Sequence, residues 1–203
     1  MYSAIILSGG ESKRFGGDKG LFRVGQKPLL YYVVKSVAPL VDEVLIIIRC
    51  NDKKYEYSHQ FPFSQILIDE DILKAPVSGA LTGFKNAIGD YSILLPCDTP
   101  LVSQKVLSFL LSLVEGFDCV VPRWPSSYIE PLQAVYLTKT AYEAARKSIE
   151  EGKNHFRDMI SHLKKVLYVS TIEIKKLDTR MLTFRNINTL EDLKSIKKYL
   201  RNR

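Results

Sequence analysis

Short apolar runs alternate along this chain with longer stretches in which apolar positions recur every three or four residues. The runs at residues 4–7, 44–48, 65–68, 92–95, 119–121, 134–137 and 166–169 predict seven strands. In the second of them Leu45, Ile46, Ile47 and Ile48 are apolar on both faces, as a central strand of a parallel sheet requires. Helical periodicity predicts helices over 28–37, 78–88, 103–115, 139–151, 156–163 and 190–200. Pro28 can open the first without losing a needed N–H. Thr189 is placed to cap the last, with Asp192 reaching back in a variant of the capping box. Strand–helix alternation of this kind predicts an α/β, Rossmann-like three-layer domain: a mostly parallel sheet with helices on both faces. Ligands of such sheets bind outside the C-terminal ends of the strands. Residues 122–131 are the least regular stretch and are a candidate active-site flap.

At 203 residues the chain is expected to form one domain. A hydrophobic fraction of 46% against 25% charged residues supports a packed core. The net charge of +7 favours anionic ligands. Much of that excess lies at Lys194, Lys197, Lys198, Arg201 and Arg203, which reads as a solvated helix face and tail; no nucleic-acid partner is expected. Cys50, Cys97 and Cys119 are odd in number and lack metal-ligand spacing, so reduced thiols in a cytoplasmic protein are the simplest account. No basic segment leads a long apolar stretch at the N-terminus, and no apolar run nears the ~20 residues of a membrane span. No signal peptide and no membrane association are expected.

The segment most informative about chemistry follows the first strand: Leu7, Ser8, Gly9 and Gly10, then Glu11-Ser12-Lys13-Arg14-Phe15-Gly16-Gly17-Asp18-Lys19. Glycines allow backbone N–H groups to approach a polyphosphate, and an array of such donors forms an anion-binding concavity. Arg14 and Lys19 add positive charge where a triphosphate gathers negative charge. The spacing is neither G-x-x-x-x-G-K-[ST] nor G-x-G-x-x-G. The plain alternative is an exposed glycine-rich loop. Past the fourth strand, Cys97-Asp98-Thr99-Pro100 puts a carboxylate at the expected crevice. A hard cation such as Mg2+ takes one or two carboxylates plus phosphate oxygens, although an Asp-Thr-Pro turn alone would merely cap the next helix. His59, His155 and His162 have no partner at a spacing suited to nucleophilic catalysis or zinc.

The glycine segment, read as G-G-x-S-x-R-[FM]-G-x-D-K and followed by Gly25-Gln26-Lys27-Pro28-Leu29, resembles the signature of nucleotidyltransferases of the molybdenum cofactor guanylyltransferase type. The usual Leu-Ala-Gly-Gly reads Leu-Ser-Gly-Gly. Cys97-Asp98-Thr99-Pro100 is similar to that family's metal loop, and Glu130-Pro131-Leu132 to its segment before a late strand. Phe184-Arg185-Asn186-Ile187-Asn188-Thr189 is similar to its F-x-N-[IV]-N-T motif. The match is partial around Ala75-Pro76-Val77-Ser78-Gly79, where the family has Gly-Pro-Leu-x-Gly after an aspartate near the nucleotide; Asp69 is the favoured candidate over Asp71.

The resemblance implies transfer of GMP from GTP to the terminal phosphate of molybdopterin or its molybdenum-loaded form, with release of pyrophosphate. It implies Arg14, Lys19 and Asp98 as catalytic residues and Mg2+ on Asp98. Leu7, Ser8, Gly9, Gly10, Lys19, Asn51, Asp69 and Asp98 would bind the nucleotide, and Asn186 and Asn188 the pterin acceptor. Residues 1–100 would then be mainly the nucleotide half and 101–203 mainly the acceptor half, with transient contact to molybdenum cofactor enzymes or their chaperones. The alternatives within the fold are a cytidylyltransferase on the same pterin, a cobinamide-phosphate guanylyltransferase and a sugar-phosphate nucleotidyltransferase. Outside it stands a non-catalytic nucleotide-binding module.

Overall fold

The computed structural model describes residues 1–8, 11–12, 17–49, 51–69 and 76–200. Seven strands share one sheet: β1 (Tyr2–Ser8), β2 (Glu43–Ile48), β3 (Gln65–Ile68), β4 (Tyr91–Pro96), β5 (Cys119–Arg123), β6 (Ala134–Leu137) and β7 (Val166–Ser170). Their spatial order is β7-β5-β6-β4-β1-β2-β3. All seven strands predicted from the apolar runs are present, some one to three residues longer. β6 runs antiparallel to β4 and β5, and the other pairings in this sheet are parallel.

The strands are apolar on both sides because both sides are covered. Ile5 pairs in register with Leu45 and Leu94, while Ile6 pairs with Ile46 and Leu95. Successive side chains point to opposite faces, and these two rows accordingly enter different cores. Ala4, Ile6, Ile46 and Leu95 pack with α1 (Leu29–Val37), α2 (Lys54–Gln60), α4 (Gln104–Ser112) and α7 (Thr171–Leu177). Ile5, Leu45, Ile47 and Leu94 pack with α3 (Pro76–Asn86), α5 (Thr138–Glu150) and α6 (Phe156–Ser161). A third cluster brings Leu193, Ile196 and Leu200 of α8 (Leu190–Leu200) against Val24, Leu29, Leu101 and Ile187. The last helix is thereby docked beside the start of the first.

Two helices lie outside the predicted set. α2 is seven residues long with Tyr57 as its buried residue, and α7 buries Thr171 and Ile174. Neither spans enough turns for an apolar stripe to register. The last helix has the predicted bounds, and the remaining five are shifted or shorter by a few residues; α4 stops at Ser112, four residues ahead of Gly116 with φ +83°. Pro28 sits one residue ahead of α1 in extended conformation. The predicted cap of α8 is formed: Asp192 N–H donates to Thr189 Oγ1 at 3.0 Å, and Thr189 N–H to Asp192 Oδ2 at 2.8 Å. Within 122–131, Arg123 bridges Ile129, and Ser127 takes φ +66° at the turn between them. No helix among the described residues is long and apolar enough to cross a membrane.

From β1 the chain order runs outward to β2 and β3 on one side and to β4 on the other. The crevice expected at such a reversal lies at the C-terminal ends of β1 and β4. Cys97 N–H donates to Leu7 O across it at 3.1 Å, which locks the two strand ends together.

Helix α3 lies close on β1. A Cβ added at Gly83 would stand 2.3 Å from Ile5 Cγ2, far inside contact distance. Alanine at a helix interior normally gains up to about 1 kcal/mol over glycine. Here the overlap with a buried β-branched side chain wins, and Gly83→Ala is expected to lower stability by about 1–3 kcal/mol. Urea unfolding measures it, and an unchanged or raised midpoint contradicts the packing described.

Candidate active site

The site grows from the ends of four parallel strands. β1 ends at half-buried Leu7 and buried Ser8. Ser8 Oγ lies 2.7 Å from Tyr57 Oη, and Tyr57 Oη donates to Asp18 Oδ1 at 2.7 Å. Gly20 N–H also donates to Asp18 Oδ1, at 2.9 Å. An ionised carboxylate has only acceptors, so the phenolic proton goes to Asp18 and the Ser8 hydroxyl donates to the phenol. Burial first, and then the Asp18 charge, raise the Tyr57 phenol well above its ordinary range. Tyr57 is therefore a fixed neutral donor. Gly20 has no room for a side chain: an added Cβ would fall 2.2 Å from Ser8 Oγ and 2.5 Å from Tyr57 Oη.

Lys19 leaves this turn toward β4. Its Nζ donates to Asp98 Oδ2 and to Asn188 Oδ1, each at 2.8 Å. The two charged side chains are only 12% and 19% exposed, so solvent screens them weakly. Ile187 N–H donates to the Asp98 carbonyl at 2.9 Å, fixing the segment that carries Asn188 against the loop after β4. The other carboxylate oxygen, Asp98 Oδ1, is buried and has no hydrogen-bond partner among the described residues. A buried, unpaired carboxylate oxygen is costly, and a hard divalent cation would satisfy it. The residue thus fits Mg2+ held by one carboxylate and ligand oxygens. No group of three or more His, Cys, Asp or Glu gathers as a metal cluster among the described residues.

Neighbouring Cys97 is buried beneath the site. Burial pushes its thiol up to about 12, with the Asp98 charge adding to the effect.

At the end of β3, Asp69 is 8% exposed and accepts from Ser78 Oγ of α3 at 2.5 Å; its N–H donates to Ile48 O at 2.7 Å. Asn51 is exposed in the 3-10 turn Asn51–Lys53 that follows β2. On the other flank, Trp124 Nε1 donates to Glu130 Oε1 at 2.7 Å, and the Trp124 ring meets Phe184 edge-on at 5.7 Å. Burial raises the Glu130 carboxyl, and the Trp124 bond partly offsets this.

The structure therefore brings Lys19, Asp98 and Asn188 into direct contact, with Leu7 and Ser8 at the adjoining strand end. Asp69 and Asn51 end the two strands beyond β1. Asn186 is exposed two residues from Asn188. Gly9, Gly10, Arg14 and Asp71 lie outside the described residues. Sequence reasoning placed Asn188 with the acceptor and did not foresee its contact with Lys19. It also missed Tyr57, the role of Asp18, and Ser78. No sequence signal singled out Tyr57, because the stretch Lys54-Tyr55-Glu56-Tyr57-Ser58-His59-Gln60 carries two tyrosines and the other, Tyr55, is exposed.

Residues 4–166 match the family model described as "MobA-like NTP transferase domain". A "Probable molybdenum cofactor guanylyltransferase" of Methanosarcina mazei is 32% identical over 200 residues, covering 96% of this chain and 89% of that protein. A protein of the same description from Methanocaldococcus jannaschii is also 32% identical over 200 residues, covering 94% and 96%. Among solved structures, molybdopterin-guanine dinucleotide biosynthesis protein A from Archaeoglobus fulgidus superposes with a TM-score of 0.81 at 23% identity, over 99% of this chain and 100% of that one. At that identity the likeness speaks for the α/β Rossmann-like fold.

The thiolate is the nucleophilic form of cysteine. A thiol at about 12 leaves about one molecule in 10^4 ionised at pH 8, because raising a pKa favours the protonated form. Iodoacetamide at pH 8 is expected to label Cys97 only after unfolding in guanidinium, read by peptide mass spectrometry. Prompt labelling of the native protein contradicts this.

Proposed function

The chain belongs to the family of MobA-like NTP transferase domains, and we propose that this nucleotidyltransferase moves GMP from GTP onto the terminal phosphate of molybdopterin or its molybdenum-loaded form. The product is a guanine dinucleotide cofactor and the leaving group is pyrophosphate. The observation that supports this most is Lys19 Nζ held 2.8 Å from Asp98 Oδ2 at the sheet's reversal, beside a buried and unpartnered Asp98 Oδ1. The two curated relatives described above are each described as a probable molybdenum cofactor guanylyltransferase, which supports this reading.

Residues 1–100 supply mainly the nucleotide half in this reading, and 101–203 mainly the acceptor half. Leu7, Ser8, Gly9 and Gly10 bind the nucleotide at the end of β1 and just after it, and the Arg14 and Lys19 cations meet the triphosphate. Asn51 and Asp69, at the ends of β2 and β3, face the nucleoside. Asn186 and Asn188 offer amide donors and acceptors to the polar pterin. An acceptor phosphate oxygen forms a bond to the α-phosphorus while the bond from that phosphorus to pyrophosphate breaks, its electron pair leaving with pyrophosphate. A phosphate monoester is already a nucleophile, so no covalent enzyme intermediate is required. The protein contributes alignment and charge neutralisation.

Lys19 neutralises charge that builds on the leaving pyrophosphate. A polyphosphate carries more negative charge than one carboxylate and competes with Asp98 for that ammonium. Asp98 would hold Mg2+, which when bound supplies further neutralisation of phosphate oxygens. The buried free thiols Cys97 and Cys119 support placing this chemistry in the reducing cytoplasm.

Pyrophosphate release is expected with GTP plus molybdopterin and not with CTP; preference for CTP would reassign the base specificity. Lys19→Ala and Asp98→Asn are each expected to lower turnover at least ~10^2-fold, about 3 kcal/mol in the barrier, while the melting temperature confirms a folded protein. Near wild-type turnover in either folded variant removes its assigned role.

A further inference from the structure

Lys19 has to reach Asp98 and Asn188 from a glycine-flanked turn, and a flexible four-carbon side chain does not by itself fix where its ammonium goes. Something must hold the backbone at Lys19. The residue next to it, Asp18, is tied down from both sides. Asp18 Oδ1 accepts Gly20 N–H at 2.9 Å, closing a small loop of chain around Lys19. The same oxygen accepts Tyr57 Oη at 2.7 Å. Tyr57 in turn stands 2.7 Å from Ser8 Oγ at the end of β1, and its ring is fully buried within the core on that face of the sheet. Its neighbour in that packing is Phe61, ring to ring at 6.2 Å.

We infer that Tyr57 is a positioning residue for nucleotidyl transfer: its hydroxyl, anchored on Ser8, clamps Asp18 and thereby fixes Lys19 where its ammonium meets the triphosphate. Three observations support a role beyond core filling. The phenol is placed in the protein interior with its polar tip directed at the carboxylate of Asp18, the residue before Lys19 in the chain. Gly20 admits no side chain because the Ser8 and Tyr57 oxygens occupy that space, so the turn has been kept open for this contact. The phenol comes from α2, a short helix after β2, whereas Asp18 and Ser8 lie on either side of the glycine-rich segment in the chain; the hydrogen bond therefore ties Asp18 to a separate element.

The inference rests on the proposed transfer reaction for its kinetic arm alone. Tyr57→Phe keeps the ring that fills the core and removes the hydroxyl. Two readouts are taken on the full-length variant. In the first, an amine-acylating reagent labels lysines in the free protein and mass spectrometry follows Lys19; labelling several-fold faster than wild type is expected as the ammonium leaves its partners. In the second, kcat at saturating GTP is expected to fall on the order of 10–100-fold, because a small displacement of an aligned group has that cost. The melting temperature should shift by only a few degrees. Asp18→Asn should move both readouts in the same direction, and the double variant should be no worse than the poorer single variant, since both act through Lys19. Wild-type Lys19 labelling in Tyr57→Phe overturns the inference whatever the kinetics, as does unchanged kcat. Absence of guanylyl transfer by the wild-type protein instead overturns the functional reading, and the labelling arm then decides the role of Tyr57 by itself.

Discussion

One ammonium group, Lys19 Nζ, joins three segments that the chain keeps far apart: the turn after the glycine loop, the loop after β4, and the Asn-Ile-Asn stretch before α8. Taking Lys19 and Asp98 largely out of water costs desolvation free energy, which is recovered only with close geometry and further hydrogen bonds. The second amide partner, Asn188, and the Ile187 N–H bond to the Asp98 carbonyl supply those bonds. Removing any one member leaves a poorly solvated charge behind. The contact thus acts as a cross-brace over the mouth of the sheet, at the place the proposed function gives to a polyphosphate and its cation.

The sheet makes that brace possible. With helices on both faces, the central strands are buried and rigid, and their C-terminal ends are the places where backbone leaves the hydrogen-bonded ladder. β1 and β4 deliver Ser8 and Asp98 to adjoining points, and β2 and β3 deliver Asn51 and Asp69 further along the same edge. A fold of this kind hosts many chemistries, so the function resides in the residues at this edge and not in the architecture. The apolar docking of α8 against Leu29 and Val24 matters for the same reason, because it returns the C-terminal segment to the N-terminal half and sets Asn188 within reach of Lys19.

Beneath the brace, the Ser8, Tyr57 and Asp18 contacts hold the residue next to Lys19 from the core. A neutral phenol is a better buried donor here than a second cation would be, since it satisfies Asp18 without placing another charge near Lys19. Cys97, buried alongside and held as a thiol, adds packing without charge.

The strands and most helices were legible in the sequence because burial on two faces forces continuous apolar runs, as at Leu45 to Ile48, and burial on one face forces helical spacing. The place of Asp98 just past a strand end was legible because the buried apolar run of β4 stops there. What sequence could not carry was any partnership set by packing. Lys19 and Asn188 are 169 positions apart, and only the docking of α8 decides that they touch. Tyr57 sits in a polar seven-residue helix whose single buried position has no periodicity to reveal it, and its hydroxyl gains a purpose only when β1 brings Ser8 beside Asp18. Local patterns record which residues are buried; which polar groups satisfy one another across the fold is settled by three-dimensional proximity, because a hydrogen bond reaches only about 3 Å.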